Sequence, residues 1–157
     1  MTLAFSTSSP LASVALFAED GRLLASDERE ARQDALAALV AMLDGIDGWR
    51  NATRFAADLG PGSFTGVRVG VTFAKTLAWT IGGSCLGADA FDLVDPEGPV
   101  ALPSRRGEWF VRVPGGSIGR SAETGIDTDR RPRASGFGPL LSRLESVDPA
   151  HFVPRYL

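Results

Sequence analysis

Between Phe64 and Ile81 the apolar positions recur at helical spacing, but on two sides of the helix rather than one. At about 100° per residue, Val67, Gly70, Val71, Ala74, Leu77, Ala78 and Ile81 share one face. Val69, Thr72, Phe73, Thr76, Trp79 and Thr80 share the opposite one, with Arg68 and Lys75 on a strip between. A surface helix ordinarily carries a single apolar stripe. The first face is expected to be core, where Gly66, Gly70 and Ala74 would let another backbone come close. Glycine inside a helix costs roughly 0.5–1 kcal/mol against alanine, so two of them imply that close approach is needed. The second face needs a cover of its own. Either another helix of this chain or a second protein would serve, and the small size of the chain favours the second protein. Gly60-Pro61-Gly62 before the helix is a turn, Ser63 an N-cap, and Gly82-Gly83 a C-cap.

The remaining pattern predicts a first lobe over residues 1–95. Leu3–Phe5 and Ala12–Phe17 are short apolar strands around the Ser6–Pro10 turn, and Arg22–Ser26 follows as a third strand after Glu19-Asp20-Gly21. A helix is expected over Asp27–Ile46, capped by Ser26 and carrying acids in its first turn. Its apolar arc, with Ala35, Leu39, Met42 and Ile46 on one side and Leu36, Val40 and Leu43 widening it, exceeds what one sheet face requires. Phe55–Leu59 and Ser84–Leu86 are further strands, and Asp89–Val94 a helical turn. Asp95–Pro99 is a linker by composition. Residues 96–157 then form a second region and a C-terminal tail. A hairpin of Val100–Pro103 and Glu108–Val113 is followed by an aperiodic Pro114–Gly138, a short helix over Leu140–Val147 and an extended tail.

Composition narrows the function classes. In 157 residues, 44% are hydrophobic and 22% charged, which describes a soluble globular protein of one domain or two small lobes. A net charge of −3 argues against autonomous nucleic-acid binding by bulk electrostatics. A lone Cys85 excludes a disulfide framework or cysteine-type metal cluster. Residues 1–9 lack the basic and apolar regions of a signal peptide, and Lys75 interrupts the one long apolar run, so no membrane partner and a cytoplasmic location are expected.

The run Gly60-Pro61-Gly62-Ser63-Phe64-Thr65-Gly66-Val67-Arg68, followed by a helix rich in small residues, resembles the signature of the TsaB (YeaZ) family. Ser13-Val14-Ala15-Leu16 and the terminal Pro154-Arg155-Tyr156-Leu157 are similar to further family segments. The resemblance implies an α/β fold of the actin/sugar-kinase/Hsp70 (ASKHA) type, with a βββαβα lobe and a reduced second lobe. It also implies a non-catalytic partner subunit in the synthesis of N6-threonylcarbamoyladenosine at position 37 of tRNA. The catalytic TsaD-type paralogue and a TsaE-type ATPase would be its partners, with a homodimer when it is alone. ATP and Mg²⁺ would be used by the complex, with no cofactor required by this chain and tRNA contacted mainly through the complex. In the family the two long helices form the pairing surface, which here would comprise Ala35, Leu39, Met42, Arg68, Val69, Thr72, Phe73, Thr76 and Trp79. The sequence departs from the family at two acidic positions, occupied by Ser6 and Ser104.

The competing reading is an actin-like nucleotide hydrolase or phosphotransferase. Hydroxyls and amides at Ser6, Thr7, Gly60, Gly62, Ser63 and Thr65 form a candidate anion or nucleotide site, with turn and cap chemistry as the alternative account. With serine at both acidic positions, the chain lacks the carboxylate that would hold a magnesium-bound phosphate there. The only histidine, His151, is far along the chain from Ser63, so a Ser–His nucleophile has no support. No catalytic and no metal-ligating residue is assigned.

Overall fold

Leu3, Phe5, Val14 and Leu16 alternate with Ala4, Ser6, Ala15 and Ser13 along two adjacent strands, so a sheet built from them has two buried faces of unequal bulk. The computed structural model, which describes residues 1–157, is organised by that sheet. Its strands are β1 (Thr2–Ser6), β2 (Leu11–Phe17), β3 (Leu23–Glu30), β4 (Arg54–Asp58) and β5 (Ser84–Ala88). They lie in the order β3-β2-β1-β4-β5, antiparallel through the first three strands and parallel from β1 to β5. Leu3 is opposite Leu16 on one side and Phe55 on the other. This is the actin-like lobe: a three-stranded meander, a helix, and a parallel strand–helix–strand unit.

The bulky face is covered by α1 (Ala35–Leu43) and α2 (Phe64–Ile81). Ser63 caps α2 by accepting from the Gly66 amide at 3.2 Å, and Gly82 ends it in the left-handed region at φ 68°. Both ends therefore stand where the sequence predicts. Helix α1 does not. Residues 27–30 continue β3, pairing Asp27 with Val14, Glu28 with Ser13 and Arg29 with Ala12. Edge strands tolerate charge because one side faces water, and charges also discourage pairing with other chains. The same acids were expected as the first turn of a helix. The helix begins at Ala35 instead, where Asp34 accepts from the Ala37 amide at 2.9 Å.

The small-residue face, with Ala4, Ala15 and Ala56, is closed from the second half of the chain. Ala134, Phe137, Leu140 and Leu141 pack on it beside Phe17, Leu86 and Leu93. They come from a 3₁₀ segment, Ala134–Leu140, and its C-cap Leu141, tied to β2 by the Ala134 amide donating to Ser13 Oγ at 2.8 Å. The helix expected over Leu140–Val147 is absent. Leu140 and Leu141 are anchored as neighbours in the cluster, and Val147 makes a two-bond bridge to Cys85 that shields the β5 edge. The rest is α3 (Ala90–Val94) and a small antiparallel sheet of β6 (Val100–Pro103), β7 (Trp109–Arg112) and β8 (Gly119–Ser121), which packs on α3. β8 falls in the stretch expected to be aperiodic.

Candidate functional site

Two surfaces flank the N-terminal half of α2. The first is the face that α1 and α2 turn to solvent. Leu39 and Met42, expected on a pairing surface, are fully buried in the chain's own core and present nothing outward. Once α1 starts at Ala35, the residues one turn apart on its outer side are Leu36 and Val40, half-exposed at 50% and 48%. Ala35 is only partly covered, at the start of the helix. On α2, Arg68, Thr72, Thr76 and Trp79 are exposed, with Trp79 at 67%. Val69 and Phe73 are half-buried, and Phe73 packs edge-on against Phe5 with ring centroids 5.1 Å apart. Phe73 is thus partly covered by its own chain, while Trp79 is not.

Leu36 of α1 and Thr65, Arg68, Val69, Thr72, Phe73 and Thr76 of α2 line a groove of about 420 Å³ between the helices. Arg68 is its only charge. Thr76 donates its hydroxyl to the Thr72 carbonyl and Thr80 to that of Thr76, each at 2.8 Å. Those hydroxyl protons stay within the helix, which makes the face more apolar than its threonines suggest. Thr65 belongs to this groove and not to the anion site expected for it. Leu36 and Val40 were expected only to widen the apolar arc and not to pair, because the arc by itself gave no signal for which of its sides faces the sheet.

The second surface is the cleft at the carboxyl ends of β1 and β4. Ser6 and Thr7 do not face it. Both are buried: Ser6 Oγ donates to Asp58 Oδ2 at 2.8 Å and Thr7 Oγ1 to the Gly66 carbonyl at 2.7 Å. Neither is free for an anion. The carboxylate missing from β1 stands on β4 instead, where Asp58 accepts from Ser6, Ser8 and the Gly60 amide (the last at 2.8 Å). Burial pushes the Asp58 carboxyl above its usual range, against hydrogen bonds from Ser8, Gly60 and Ser6 that pull it down. This pairing links residues about fifty positions apart, and nothing local in the sequence announces it. Gly60 is also buried, at φ 89°.

Gly62 and Ser63 do reach the cleft, a cavity of about 610 Å³ between the first lobe and the β6–β8 sheet. Ser63 Oγ is occupied as the cap of α2, so the cap account of the hydroxyl applies. A side chain at Gly62 would meet Ser8 main chain, which explains why the turn needs glycine there. Ser104 lines the cavity, its hydroxyl shielded from solvent and without a hydrogen-bond partner. His151 is exposed in the turn Pro149–His151, bonded through its main chain to Asp148. Cys85 is buried, its thiol pushed up to about 11 by burial. No cluster of three or more His, Cys, Asp or Glu is arranged to hold a metal ion. No helix is long and apolar enough to cross a membrane.

Known proteins share this architecture. A structure of YeaZ from Pseudomonas aeruginosa superposes with a TM-score of 0.81 at 21% identity, covering 99% of each chain. A second, described as an uncharacterized protein with similarity to peptidase YEAZ from Pseudomonas aeruginosa, gives 0.80 at 21% identity over 99% of this chain and 98% of that one. The tRNA threonylcarbamoyladenosine biosynthesis protein TsaB of Bacillus subtilis (strain 168) is 35% identical over 83 residues. This is the YeaZ fold, in a chain whose sequence is similar to TsaB. The match to the B. subtilis protein covers 50% of this chain and 36% of that relative, so it spans about a third of the relative's length. A family model described as TsaD, tRNA N6-adenosine threonylcarbamoyltransferase, matches residues 47–91, which hold β4, α2 and β5. The matched stretch contains the turn, the cap and the α2 side of the groove.

Proposed function

We propose that this chain is a non-catalytic subunit of the machinery that makes N6-threonylcarbamoyladenosine at position 37 of tRNA, and that it docks a TsaD-type paralogue through α1 and α2. The observation that carries the proposal is the apolar face of the helix pair, where Leu36, Val40 and Trp79 stand in water around a groove with one charged residue. Covering on the order of 300 Å² of apolar surface at ~25 cal/mol per Å² would contribute about 7 kcal/mol before the cost of association. A homologous subunit with the same helix pair offers a matching surface. In isolation the chain pairs with itself through that face. A TsaE-type ATPase, ATP with Mg²⁺, and tRNA enter through the assembled complex, in the cytoplasm. Weighing against a hydrolase or phosphotransferase is the cleft itself, whose lining includes no aspartate or glutamate to carry Mg²⁺.

Val40→Asp and Thr72→Arg test the proposal, since both residues are exposed and neither supports the core. Light scattering should show a wild-type dimer and monomeric variants with unchanged circular dichroism. Capture of a co-expressed TsaD-type subunit should weaken at least 30-fold, as for a central interface position worth about 2 kcal/mol. Variants that still dimerise and still capture that subunit would refute the assignment.

A further inference from the structure

The docking face carries charge of one sign only. Helices α1 and α2 contain Arg68 and Lys75 between them and no aspartate or glutamate. Lys75 does not line the groove, and its ammonium donates to the Phe152 carbonyl at 3.4 Å. Arg68 does line it, is exposed, and has no carboxylate within 4.0 Å. Its guanidinium lies over the Phe64 ring, 5.3 Å from the centroid, which positions the charge without neutralising it. The acids that flank α1, Asp34 and Asp44, stand at its two ends, and Asp34 already accepts from the Ala37 amide at 2.9 Å.

This lone charge weighs differently on the two pairings open to the face. A closed homodimer buries the same patch on both copies. Two Arg68 guanidinium groups then lose water together, and neither helix pair brings a carboxylate to receive them. Leu36, Val69 and Phe73 line the same groove, so a subunit seated there leaves the charge little solvent. A buried charge without a partner is costly, whereas a guanidinium met by a carboxylate gains two parallel hydrogen bonds.

We infer that Arg68 selects the partner: the helix pair that fits this face is apolar like its own but presents a carboxylate to the Arg68 guanidinium. A second copy of the chain, lacking that carboxylate, pairs less tightly. This selection rests on the docking role proposed for α1 and α2. The test uses the intact chain and a separately purified TsaD-type subunit. Sedimentation equilibrium reads the homodimer, and titration calorimetry reads capture of the subunit. Arg68→Met keeps an apolar stem and removes the charge, so it should tighten the homodimer about tenfold and weaken capture about tenfold. Arg68→Glu should weaken capture about 100-fold and leave the homodimer no tighter than the wild type's, since like charges meet again. Opposite movement of the two affinities is the signature, because simple damage to the face weakens both. Circular dichroism should be unchanged in each variant, as the side chain is exposed. Asp34→Asn keeps a good cap on α1 and should leave the homodimer as it is. A weaker homodimer in Asp34→Asn would show that the second copy supplies the acid, and would overturn the inference. So would Arg68→Met moving both affinities the same way, or neither. If Val40→Asp loses both associations while Arg68→Met shifts nothing, only the selection by Arg68 has failed. If Val40→Asp keeps both, the docking role itself has failed.

Discussion

Gly66→Ala tests how α2 is held against β1. A Cβ built on Gly66 would stand 2.0 Å from the Thr7 carbonyl oxygen, about an ångström inside the shortest separation real side chains show. The obstacle is main chain, so no rotamer change relieves it. Either the helix or the Ser6–Ser8 turn has to move, and the 2.7 Å bond from Thr7 Oγ1 to the Gly66 carbonyl goes with it. Overpacking of this kind costs about 1–3 kcal/mol and the bond about 1 kcal/mol. The gain in helix propensity returns about 1 kcal/mol. The net is a loss near 2 kcal/mol, or about 4–8 °C in Tm for a chain of this size. Urea unfolding followed by circular dichroism should show a lower midpoint at unchanged slope. Gly119→Ala is the control, because nothing lies within 4 Å of its Cβ position and its φ is not positive, so its stability should stay within about 0.5 kcal/mol. A Gly66→Ala protein as stable as wild type would show that the helix is not held at this separation.

Two further outcomes follow from buried ionisable groups. Asp58 has its folded pKa raised, so between its unfolded and folded values the native state binds the extra proton, and its contribution to stability falls as pH rises through that window. Asp58→Asn removes this dependence: stability measured against pH should show the wild type gaining on the variant as pH falls toward the ordinary carboxylate value of 3.8, and parallel curves would show that burial does not govern the group. Cys85, with its thiol held near 11 and no exposed surface, should react with a thiol reagent only as fast as the protein opens, and reaction in the native state at the rate of a free cysteine would contradict the packing.

Most of the lobe could be read before any coordinates. The ends of α2 follow from Ser63 and Gly82, and its buried stripe from Val67, Gly70, Val71, Ala74 and Ala78. What stayed hidden was non-local or ambiguous. Asp27, Glu28 and Arg29 suit a helix start and a charged edge strand equally, and pairing with β2 decides between them. The wide apolar arc of α1 was ambiguous in the same way, and packing on the sheet decides it, putting Leu39 and Met42 inside and Leu36 and Val40 outside. The bond from Ser6 to Asp58 joins two strands that become neighbours only on folding. Ala134–Leu140 has no helical or strand period, being rich in glycine and broken by Pro139, so its place in the core was illegible. Arg105, Arg120 and Arg155, which line the cleft, come from three separate segments that only the second sheet and the tail bring together.

The back of the first sheet has a consequence for how the protein is born. Ala4, Ala15, Phe17 and Ala56 leave the ribosome well before Phe137, Leu140 and Leu141, which roof them. Until they follow, a greasy panel waits open, and a nascent chain stalled before residue 133 would present it to any passing chaperone.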